Sequence, residues 1–564
     1  MIKDCGKCGV GFEVTDEDLQ FYSSVSPVFG GKKYDLPAPT LCPDCRQQRR
    51  LAQCNEINLY PGECLMCKKK MPTCHAPHIK QPIYCRECWH SEKWDARSFG
   101  RDFDFNRPFF EQFYELRKAV PALALNSQGE CVNSDYIHYA GWSKNSYLIM
   151  HADYCENCYY GYGFKKNLYC VDGFYNLHSE LCYDCVDIYK CYGLTCAQDC
   201  TACASSAFIR DCVGCNDCFL CVGQRNARFC FENQQLTQEE YKEKMKSVDF
   251  SSYKKYQEYK ARLNEMSKKH TFKEYHGTNL HNCFGDYLKN CKDLKYSFDC
   301  EDVETGKYCY QIVLGGKSLY DVYQFGTNFQ LSYECTICGV NSYHLMFSDN
   351  SMADSSDLIY CWYMEGCKNC FGCVGMNHAK YCIFNKQYTE DEYNALVPKI
   401  IEHMRKTGEW GEFWPYEISL HGYNKTSAQM YYPLVREEAI KQGFKWEDCE
   451  TPAPEFNKVV KAKDLPDKIQ DTKDDILNAA IECEITGKLF KITAPELQFY
   501  RRVGLPIPRR NWIQRHFDRF NQRNPRKFWE RNCGKCGGKI TTTYSPDRPE
   551  IVYCENCYMK TVYN

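Results

Sequence analysis

The sequence lacks a long apolar stretch and an excess of charge of either sign. Because no run of about 18 apolar residues occurs, we expect no membrane-spanning helix and no membrane partner. Lys and Arg number 71 against 73 Asp and Glu, so the chain is neither globally basic nor globally acidic, and a charged binding surface must be regional. With 564 residues, the chain is long enough for about three to four domains.

The sequence also lacks the common catalytic motifs. It contains no GxSxG, HExxH or GxGxxG pattern. Residues 313–318 (VLGGKS) resemble the end of a P-loop, but Gln311 occupies the position of the first glycine. His75, His78 and His90 are candidates for extra metal ligands or catalytic groups, although isolated histidines in loops are usually neither. We therefore expect that the protein is not an enzyme.

The residue present in excess is cysteine, with 42 copies alongside 44 tyrosines. In a small secreted protein this density would indicate disulfides. This chain is long and opens with Met-Ile-Lys-Asp-Cys, without a basic and apolar leader. These features favour a reducing, cytoplasmic setting in which thiolates bind metal.

Two nested duplications organise the chain. Residues 36–88 match residues 505–557 without a gap, so one module recurs at both ends. Between these modules, the cysteines of residues 215–230 recur in residues 367–382. Each of these copies leads into a predicted helix through a capping box, which pairs Thr237 with Glu240 and Thr389 with Glu392.

Each terminal module contains cysteines at the spacing of a four-thiolate zinc site. Two C-x2-C pairs occur in both modules with the same intervening length, and such pairs can present four thiolates tetrahedrally to one Zn2+. The N-terminal module has two further pairs across a longer loop. We predict three closed structural sites, about three Zn2+ per chain, with these ligands: Cys5, Cys8, Cys42 and Cys45; Cys64, Cys67, Cys85 and Cys88; Cys533, Cys536, Cys554 and Cys557.

The C-terminal module has lost the counterpart of the first site. Only Cys483 remains, and the other three positions hold Thr486, Asn511 and Gln514. We predict no zinc at this position. Apolar contacts would then hold that part of the module together, through Phe490, Leu497, Phe499 and Tyr500.

The N-terminal cysteines lie within a longer motif. It combines Cys5-GKC with FEVTDEDLQFY at residues 12–22 and PAPTLCPDCRQQRR at residues 37–50. Residues 3–50 thereby resemble a probable zinc-ribbon, treble-clef-like family of uncharacterised bacterial proteins, and the resemblance implies zinc ligation by the first four cysteines. The order of segments along the whole chain resembles that of long Cys/Tyr-rich hypothetical proteins of uncultivated bacterial lineages. No function carries over from them.

The 26 cysteines between Cys131 and Cys382 recur at nine-residue steps, as at Cys182, Cys191 and Cys200. This period predicts a β-solenoid whose coils contain two or three nine-residue units and whose cysteines stack in inward ladders. Reduced cysteine is a small apolar residue that suits such an interior. The alternatives are disulfides, or a further metal or iron–sulfur site in the run Cys212, Cys215, Cys218 and Cys221, although the second copy has Met364 in place of Cys212.

Charge distinguishes the central halves from the C-terminal module. Each central half holds 7 Lys and Arg against 11 or 12 Asp and Glu, which would repel a phosphate backbone, so its tyrosines are interpreted as packing residues. Residues 501–535 instead contain eleven Lys and Arg and two Asp and Glu, interleaved with aromatics, as is typical of nucleic-acid binding. An acidic protein partner or a merely solvated surface is the alternative. The predicted contacts with RNA, DNA or a ribonucleoprotein are Arg46, Arg49, Arg50, Arg509, Arg510, Arg515, Arg519, Arg523, Arg526 and Lys527.

The sequence thus predicts a zinc-dependent, non-enzymatic binding scaffold that contacts nucleic acid or a ribonucleoprotein through basic terminal modules. The alternative is a thiol-rich metal-storage or redox protein that uses its central cysteines. The predicted fold is multidomain and mainly β: a duplicated Cys-rich β-solenoid flanked by small zinc-ribbon or treble-clef modules, with interspersed helices. The predicted segments are an N-terminal double zinc module (1–98), a helical connector (99–130), solenoid half 1 (131–233), a helix (234–270), solenoid half 2 (271–385), a helix (386–407), an aromatic segment and linker (408–475, solvated from Thr451 to Asp475) and a C-terminal zinc module with one site retained (476–564).

Overall fold

The computed structural model describes every residue except Met352, residues 449–455, Asn457 and residues 563–564. The chain forms two units, which pair the terminal modules with the central halves in crossed order. One unit comprises Met1–Ala124 and Tyr275–Cys449, so the N-terminal module joins the second half. The other comprises Leu125–Glu274 and Glu450–Asn564, so the C-terminal module joins the first half.

Each unit contains a β-solenoid of ten strands in which neighbouring coils pair in parallel, and a short antiparallel strand ends each solenoid. The predicted fold class is therefore confirmed. The strands of the first solenoid are Ile137–His138, Tyr147–Met150, Tyr159–Tyr162, Val171–Leu177, Tyr183–Tyr189, Thr195–Thr201, Ala207–Arg210, Asn216–Val222, Arg228–Phe231 and Gln234–Gln235. Those of the second are Phe284–Asp286, Lys292–Phe298, Val303–Lys307, Gly316–Tyr323, Phe329–Thr336, Tyr343–Met346, Ser356–Ile359, Lys368–Phe371, Lys380–Ile383 and Lys386–Gln387.

The coils are shorter than the cysteine pattern predicts. In the first solenoid, the Ser146 N–H donates to Ser134 Oγ at the equivalent position of the preceding coil, a step of 12 residues. In the second solenoid, the Leu345 N–H donates in the same way to Ser332 Oγ, a step of 13 residues. Strand registers repeat these steps, as between Val171 and Tyr183. The prediction of coils with two or three nine-residue units is therefore wrong.

The nine-residue step of the cysteines arises from a three-residue repeat within each coil. From Tyr139 to Glu232, every third residue has a left-handed backbone conformation and turns the chain, so a 12-residue coil has four short sides. Each side contributes one inward residue. A nine-residue step therefore joins inward positions that lie three sides apart, as at the buried residues Cys182, Cys191 and Cys200. The ladders along the solenoid instead join residues one full coil apart.

Cysteine lines the interior of both solenoids. Of the 26 cysteines in this region, Cys131 and Cys283 are half-buried and the others are buried. Their thiols donate to main-chain carbonyls, as Cys218 Sγ does to Asn216 O at 3.4 Å. Burial raises the pKa of Cys309 to about 12, so this thiol stays protonated at neutral pH. The predicted inward ladders of reduced cysteine are confirmed, and no disulfide joins the cysteines that the structure describes.

Short helices and hairpins make up the rest of the described chain. Both predicted capping boxes are present, at Thr237 and at Thr389. The α-helices are Asp16–Val25, Pro43–Leu51, Arg86–Trp89, Phe109–Ala119, Gln238–Met245, Tyr253–Lys268, Glu390–Thr407, Ala428–Tyr431, Arg436–Lys441, Ala494–Val503, Trp512–Phe520 and Glu555–Val562. The main strand pairs outside the solenoids are Ile2–Asp4 with Gly11–Glu13, Tyr60–Glu63 with Lys70–Thr73, Ile83–Tyr84 with Ala122–Leu123, Thr271–Lys273 with Ile551–Tyr553, and Trp529–Asn532 with Lys539–Thr542. None of the helices in the described part of the chain is both long enough and apolar enough to cross a bilayer.

The predicted linker from Thr451 to Asp475 is partly folded. Its beginning, residues 451–455 and Asn457, lies outside the described residues. Further along, Val459–Lys461 pairs with Ala480–Glu482, and Leu465 and Ile469 are buried. The alternation of Lys and Asp suggested a solvated segment, but the apolar residues between them pack against the module, so the linker prediction is wrong for this part.

We predict that the solenoid thiols of the folded protein resist modification. Burial blocks access of the reagent to the sulfur atoms, and a cysteine must be accessible as well as deprotonated to react. Treatment of the native protein with excess DTNB should therefore modify at most a few of the 26 central cysteines, whereas all should react in guanidinium chloride. Rapid reaction of most central cysteines under native conditions would contradict this assignment.

Candidate metal centres and arginine clamps

Three groups of four cysteines are compact enough to hold a metal ion. They are the three predicted sets, and within each set the four Sγ atoms lie within 4.8 Å of one another. Sulfur atoms from the two pairs of one set approach to 3.7–3.9 Å. This spacing matches the edge, about 3.8 Å, of a tetrahedron whose metal–sulfur bonds have the zinc–thiolate length of about 2.3 Å. Each set can therefore close a tetrahedral shell around one ion.

The first cysteine pair of each group lies on a tight turn. In the N-terminal group, the Gly9 N–H donates to Cys5 O at 2.9 Å, and Gly9 has a left-handed φ of 72°. Lys68 and Gly537 take the same position in the other two groups. The second pair of each group lies at the start of a short helix. A turn and a helix start therefore converge on each candidate ion, as the motif predicts.

Main-chain N–H groups favour the thiolate at two equivalent positions. Burial raises the pKa of Cys64, but donation by the N–H groups of Cys67 and Cys85 outweighs it, and the pKa falls to about 6. At Cys533, burial is likewise outweighed by N–H groups that include that of Cys536, and the pKa again falls to about 6. Since the thiolate is the form that binds metal, both groups are prepared for an ion.

The position of the lost site keeps the turn but not the ligands. The Gly487 N–H donates to Cys483 O at 3.0 Å, as in the three metal groups. Asn511 Nδ2 donates to Thr486 Oγ1 at 2.8 Å, and Asn511 Oδ1 caps the following helix by accepting from Gln514 N. Side-chain hydrogen bonds thus connect the turn and the helix where a metal would connect them.

The three loop histidines belong to none of the tight ligand groups among the described residues. His75 is buried, its Nε2 lies 3.1 Å from Leu123 O, and its pKa falls to about 4, chiefly because burial disfavours the charged ring. His78 is exposed, and His90 lies 3.6 Å from Glu365. The geometry does not support a role for these histidines as extra metal ligands.

The run from Cys212 to Cys221 also forms no tight ligand group within the described part of the chain. Its four cysteines are buried on the four sides of one coil. Each Sγ donates to the main-chain carbonyl two residues earlier. These contacts support packing, rather than metal binding, as the role of the run.

Arginines of the N-terminal module bind carboxylates of the second solenoid. Arg46 and Arg50 are buried and bind Asp321 at 2.8 Å and 3.0 Å. Arg50 also binds Glu334 at 2.7 Å, and Arg49 binds Glu334 at 3.0 Å. The two acids lie one full coil apart, at the same corner of successive coils. We call these five residues the first clamp.

The C-terminal module makes the equivalent contacts with the first solenoid. Arg515 and Arg519 are buried, and each lies 3.0 Å from Asp172. Arg519 also approaches Asp184 to 3.7 Å. We call these four residues the second clamp. Both clamps place arginines from matching module positions against acids at matching solenoid corners.

The clamps correct the expected basic face. Six of its predicted residues are buried and paired with carboxylates, so they cannot reach a phosphate backbone in this structure: Arg46, Arg49, Arg50, Arg515, Arg519 and Arg523. The four-residue spacing does place Arg515 and Arg519 on one helix face, but that face is turned toward the solenoid, and Arg523 follows the end of the helix. Part of the negative charge of each central half therefore binds the protein's own module.

The other four predicted contacts remain closer to solvent. Arg509 is half-buried over the ring of Tyr253, and Arg510 binds Glu484 and Asp518, each at 2.8 Å. Arg526 is half-buried, and Lys527 is exposed.

The acidic partners are hidden in the sequence because the net charge of a whole segment does not show which acids share a corner of the coil. Two features of the sequence point to these ion pairs. Both modules retain arginines four residues apart although one has lost a metal site, and acids recur at the coil length in both halves, at Asp172 and Asp184 and at Asp321 and Glu334.

No protein-family model matches the chain, and no curated protein matches it significantly. The resemblance of residues 3–50 to a zinc-ribbon motif therefore rests on the motif and on the geometry of its cysteines.

We predict that three substitutions restore the lost metal site. In Thr486→Cys/Asn511→Cys/Gln514→Cys, the turn and helix start already lie in place beside Cys483, so the variant should bind one more metal ion per chain than the wild type. Metal analysis after anaerobic purification measures the count. The matched control, Thr486→Ser/Asn511→Ser/Gln514→Ser, should add none, and an equal count in the two variants would refute the prediction.

We predict that breaking a clamp destabilises the fold strongly. Arg50→Met leaves two buried carboxylates poorly compensated and should cost about 3–5 kcal/mol. Arg436, which is exposed and binds Asp448 at 2.8 Å in the same unit, provides the control, because Arg436→Met breaks only a solvated pair and should cost little. Urea unfolding followed by circular dichroism compares the two, and similar losses would count against the clamp.

Proposed function

We propose that this protein is a zinc-dependent, non-enzymatic binding scaffold that contacts nucleic acid, free or within a ribonucleoprotein, through exposed cations of its terminal modules. The observation that carries the proposal is the division of basic residues in these modules. Their buried arginines hold the module on its solenoid, while lysines near the metal turns extend into solvent.

Zinc is the ion that best fits the three cysteine groups. Four thiolates at tetrahedral spacing form the donor set of structural zinc sites, and such a closed shell leaves no position for a catalytic water. Lewis-acid catalysis at these ions is therefore not part of the proposal. The ions would stabilise modules whose own apolar cores are small, and binding of a structural zinc contributes about 10–16 kcal/mol in zinc-finger peptides.

The exposed lysines cluster near two of the three metal groups. Lys68, Lys69 and Lys70 follow the first cysteine pair of the second group, and Lys527 and Lys539 flank the turn of the third. Lys70 and Lys539 occupy matching positions in the duplicated module. Flexible ammonium groups on a rigid turn can contact phosphates irrespective of base sequence. Two such turns on one chain would increase affinity wherever their spacing fits the partner.

The alternative of a thiol-rich storage or redox protein has less support. Storage requires thiols that metal or oxidant can reach, whereas 24 of the 26 central cysteines are buried and many donate to main-chain carbonyls.

The test is a salt titration of binding to labelled RNA and DNA by the zinc-loaded protein. Lys68→Gln/Lys69→Gln/Lys70→Gln/Lys527→Gln/Lys539→Gln should weaken binding and reduce the slope of log K against log salt by about 0.7–0.9 for each lysine that had neutralised a phosphate.

A charge-matched control replaces five exposed lysines of the helical segment that follows the first solenoid. These are Lys242, Lys254, Lys255, Lys268 and Lys269. If this control and the lysine-turn variant bind with equal affinity and equal slope, the proposed surface is wrong. Failure of the wild type to bind RNA or DNA would overturn the proposal as a whole.

A further inference from the structure

One corner of the first solenoid presents aromatic and basic side chains to solvent. Trp142 and Tyr154 occupy this corner on successive coils and are 43% and 54% exposed. Their rings are stacked, with centroids 5.1 Å apart and planes 10° apart. Lys166, His178 and Lys190 continue the corner, one on each following coil, and all three are exposed. We call these five residues the stacking edge.

The equivalent corner of the second solenoid has a different composition. It carries Asn290, Asp302, Gly315, Asn328 and Asn341, all with positive φ. Glycine, asparagine and aspartate are the residues that tolerate the left-handed conformation best. These five positions of the corner therefore carry residues that suit the left-handed backbone and no aromatic ring, and His378 lies further along the same corner.

The stacking edge instead combines a costly conformation with exposed rings. Trp142 and Tyr154 have φ of 45° and 55°, and a left-handed conformation costs an ordinary residue about 1–2 kcal/mol. At the buried corner residue Phe208, packing offsets this cost, since the side chain is fully enclosed. Trp142 and Tyr154 are about half exposed, so packing offsets much less of the cost for them.

The charges around the edge favour an anionic ligand. The two acids that flank Tyr154 are both paired, Asp153 with Lys165 and Glu156 with Lys144. Lys166 and Lys190 extend from the edge itself. The net negative charge of this half is further offset by the second clamp, which neutralises Asp172 and Asp184 with module arginines.

We propose that the stacking edge binds single-stranded nucleic acid, with bases stacked on Trp142 and Tyr154 and phosphates contacted by Lys166 and Lys190. Stacked aromatics beside cations are the equipment of sequence-tolerant single-strand binding. A duplex offers no free base faces to the rings, so the edge prefers single strands. This inference rests on the proposed function for its ligand class and goes beyond it by naming a different surface and the form of the nucleic acid.

The experiment measures fluorescence anisotropy of a labelled oligouridylate and of a duplex of equal length, with the full-length zinc-loaded protein. Trp142→Ala/Tyr154→Ala should weaken single-strand binding by about 10-fold or more, since each stacked base contributes about 1–3 kcal/mol. Trp142→Phe/Tyr154→Phe should retain most of the affinity. Lys166→Gln/Lys190→Gln should reduce the slope against log salt by about 1.4, or about 0.7 for each contact.

Controls separate this inference from the proposed function. Asn328→Ala/Asn341→Ala alters the equivalent corner and should leave binding unchanged, and equal metal content and unfolding temperature show that each variant is folded. If only the lysine-turn variant loses affinity, or if the protein binds only duplex, the proposed function survives and the stacking edge is wrong. If the alanine variant loses single-strand affinity while the lysine-turn variant keeps it, the stacking edge stands and the lysine turns are wrong. Binding of a neutral glycan in place of the oligonucleotide, lost in the alanine variant, would also overturn the inference.

Discussion

The contact on which the structure most depends is the buried ion pairing between module arginines and solenoid carboxylates. A charge removed from water costs several kcal/mol unless a partner of opposite sign meets it with good geometry. Asp321 is fully enclosed in the first clamp and binds both Arg46 and Arg50. The solenoid corner therefore requires the module, and the module helix requires the corner. Because the acids occupy fixed positions on successive coils, the clamp also fixes the position of the helix and hence of the metal turn that precedes it.

The cysteine groups and the clamps hold different parts of each module. So short a segment buries little apolar surface, and an ion held by four thiolates would supply the internal stability that a core would otherwise supply. The clamp supplies attachment. This division explains the uneven loss of chemistry in the C-terminal module, where a hydrogen bond from Asn511 to Thr486 takes the place of the candidate metal group, while Arg515 and Arg519 keep their buried partner. An internal cross-link can be replaced locally, whereas loss of a buried arginine would leave its solenoid acid uncompensated.

Features that depend on local spacing, such as the metal groups, could be predicted from the sequence. Features that depend on which face of a coil or helix packs against another part of the chain could not. The spacing of Cys64, Cys67, Cys85 and Cys88 determines a tetrahedral donor set almost alone, because knuckle geometry leaves few alternatives. The period of the cysteines also predicts a solenoid. It does not predict the coil length, because a nine-residue step is compatible with any coil built from three-residue sides. The arginines were misassigned for a related reason. An arginine face with a four-residue period looks the same whether a phosphate backbone or a ladder of carboxylates lies opposite, and the acids lie far away in sequence.

The crossed pairing of modules and halves constrains how the chain reaches this structure. Arg46 and Asp321 are 275 residues apart, and Arg515 and Asp172 are 343 residues apart, whereas equivalent positions of neighbouring coils are separated by only one short coil. Local pairing closes short loops at small entropic cost, so the solenoids can grow coil by coil before either clamp forms. Until its module docks, each solenoid exposes its acidic corner to water, where unpaired carboxylates are well solvated and cost nothing. Docking then exchanges that solvation for buried arginine pairs, which is favourable only if the module helix arrives preorganised. In the N-terminal module Cys42 lies at the start of the clamp helix, so metal binding by the first cysteine group is the step that can preorganise this helix before docking, and in the C-terminal module the cap by Asn511 takes that place.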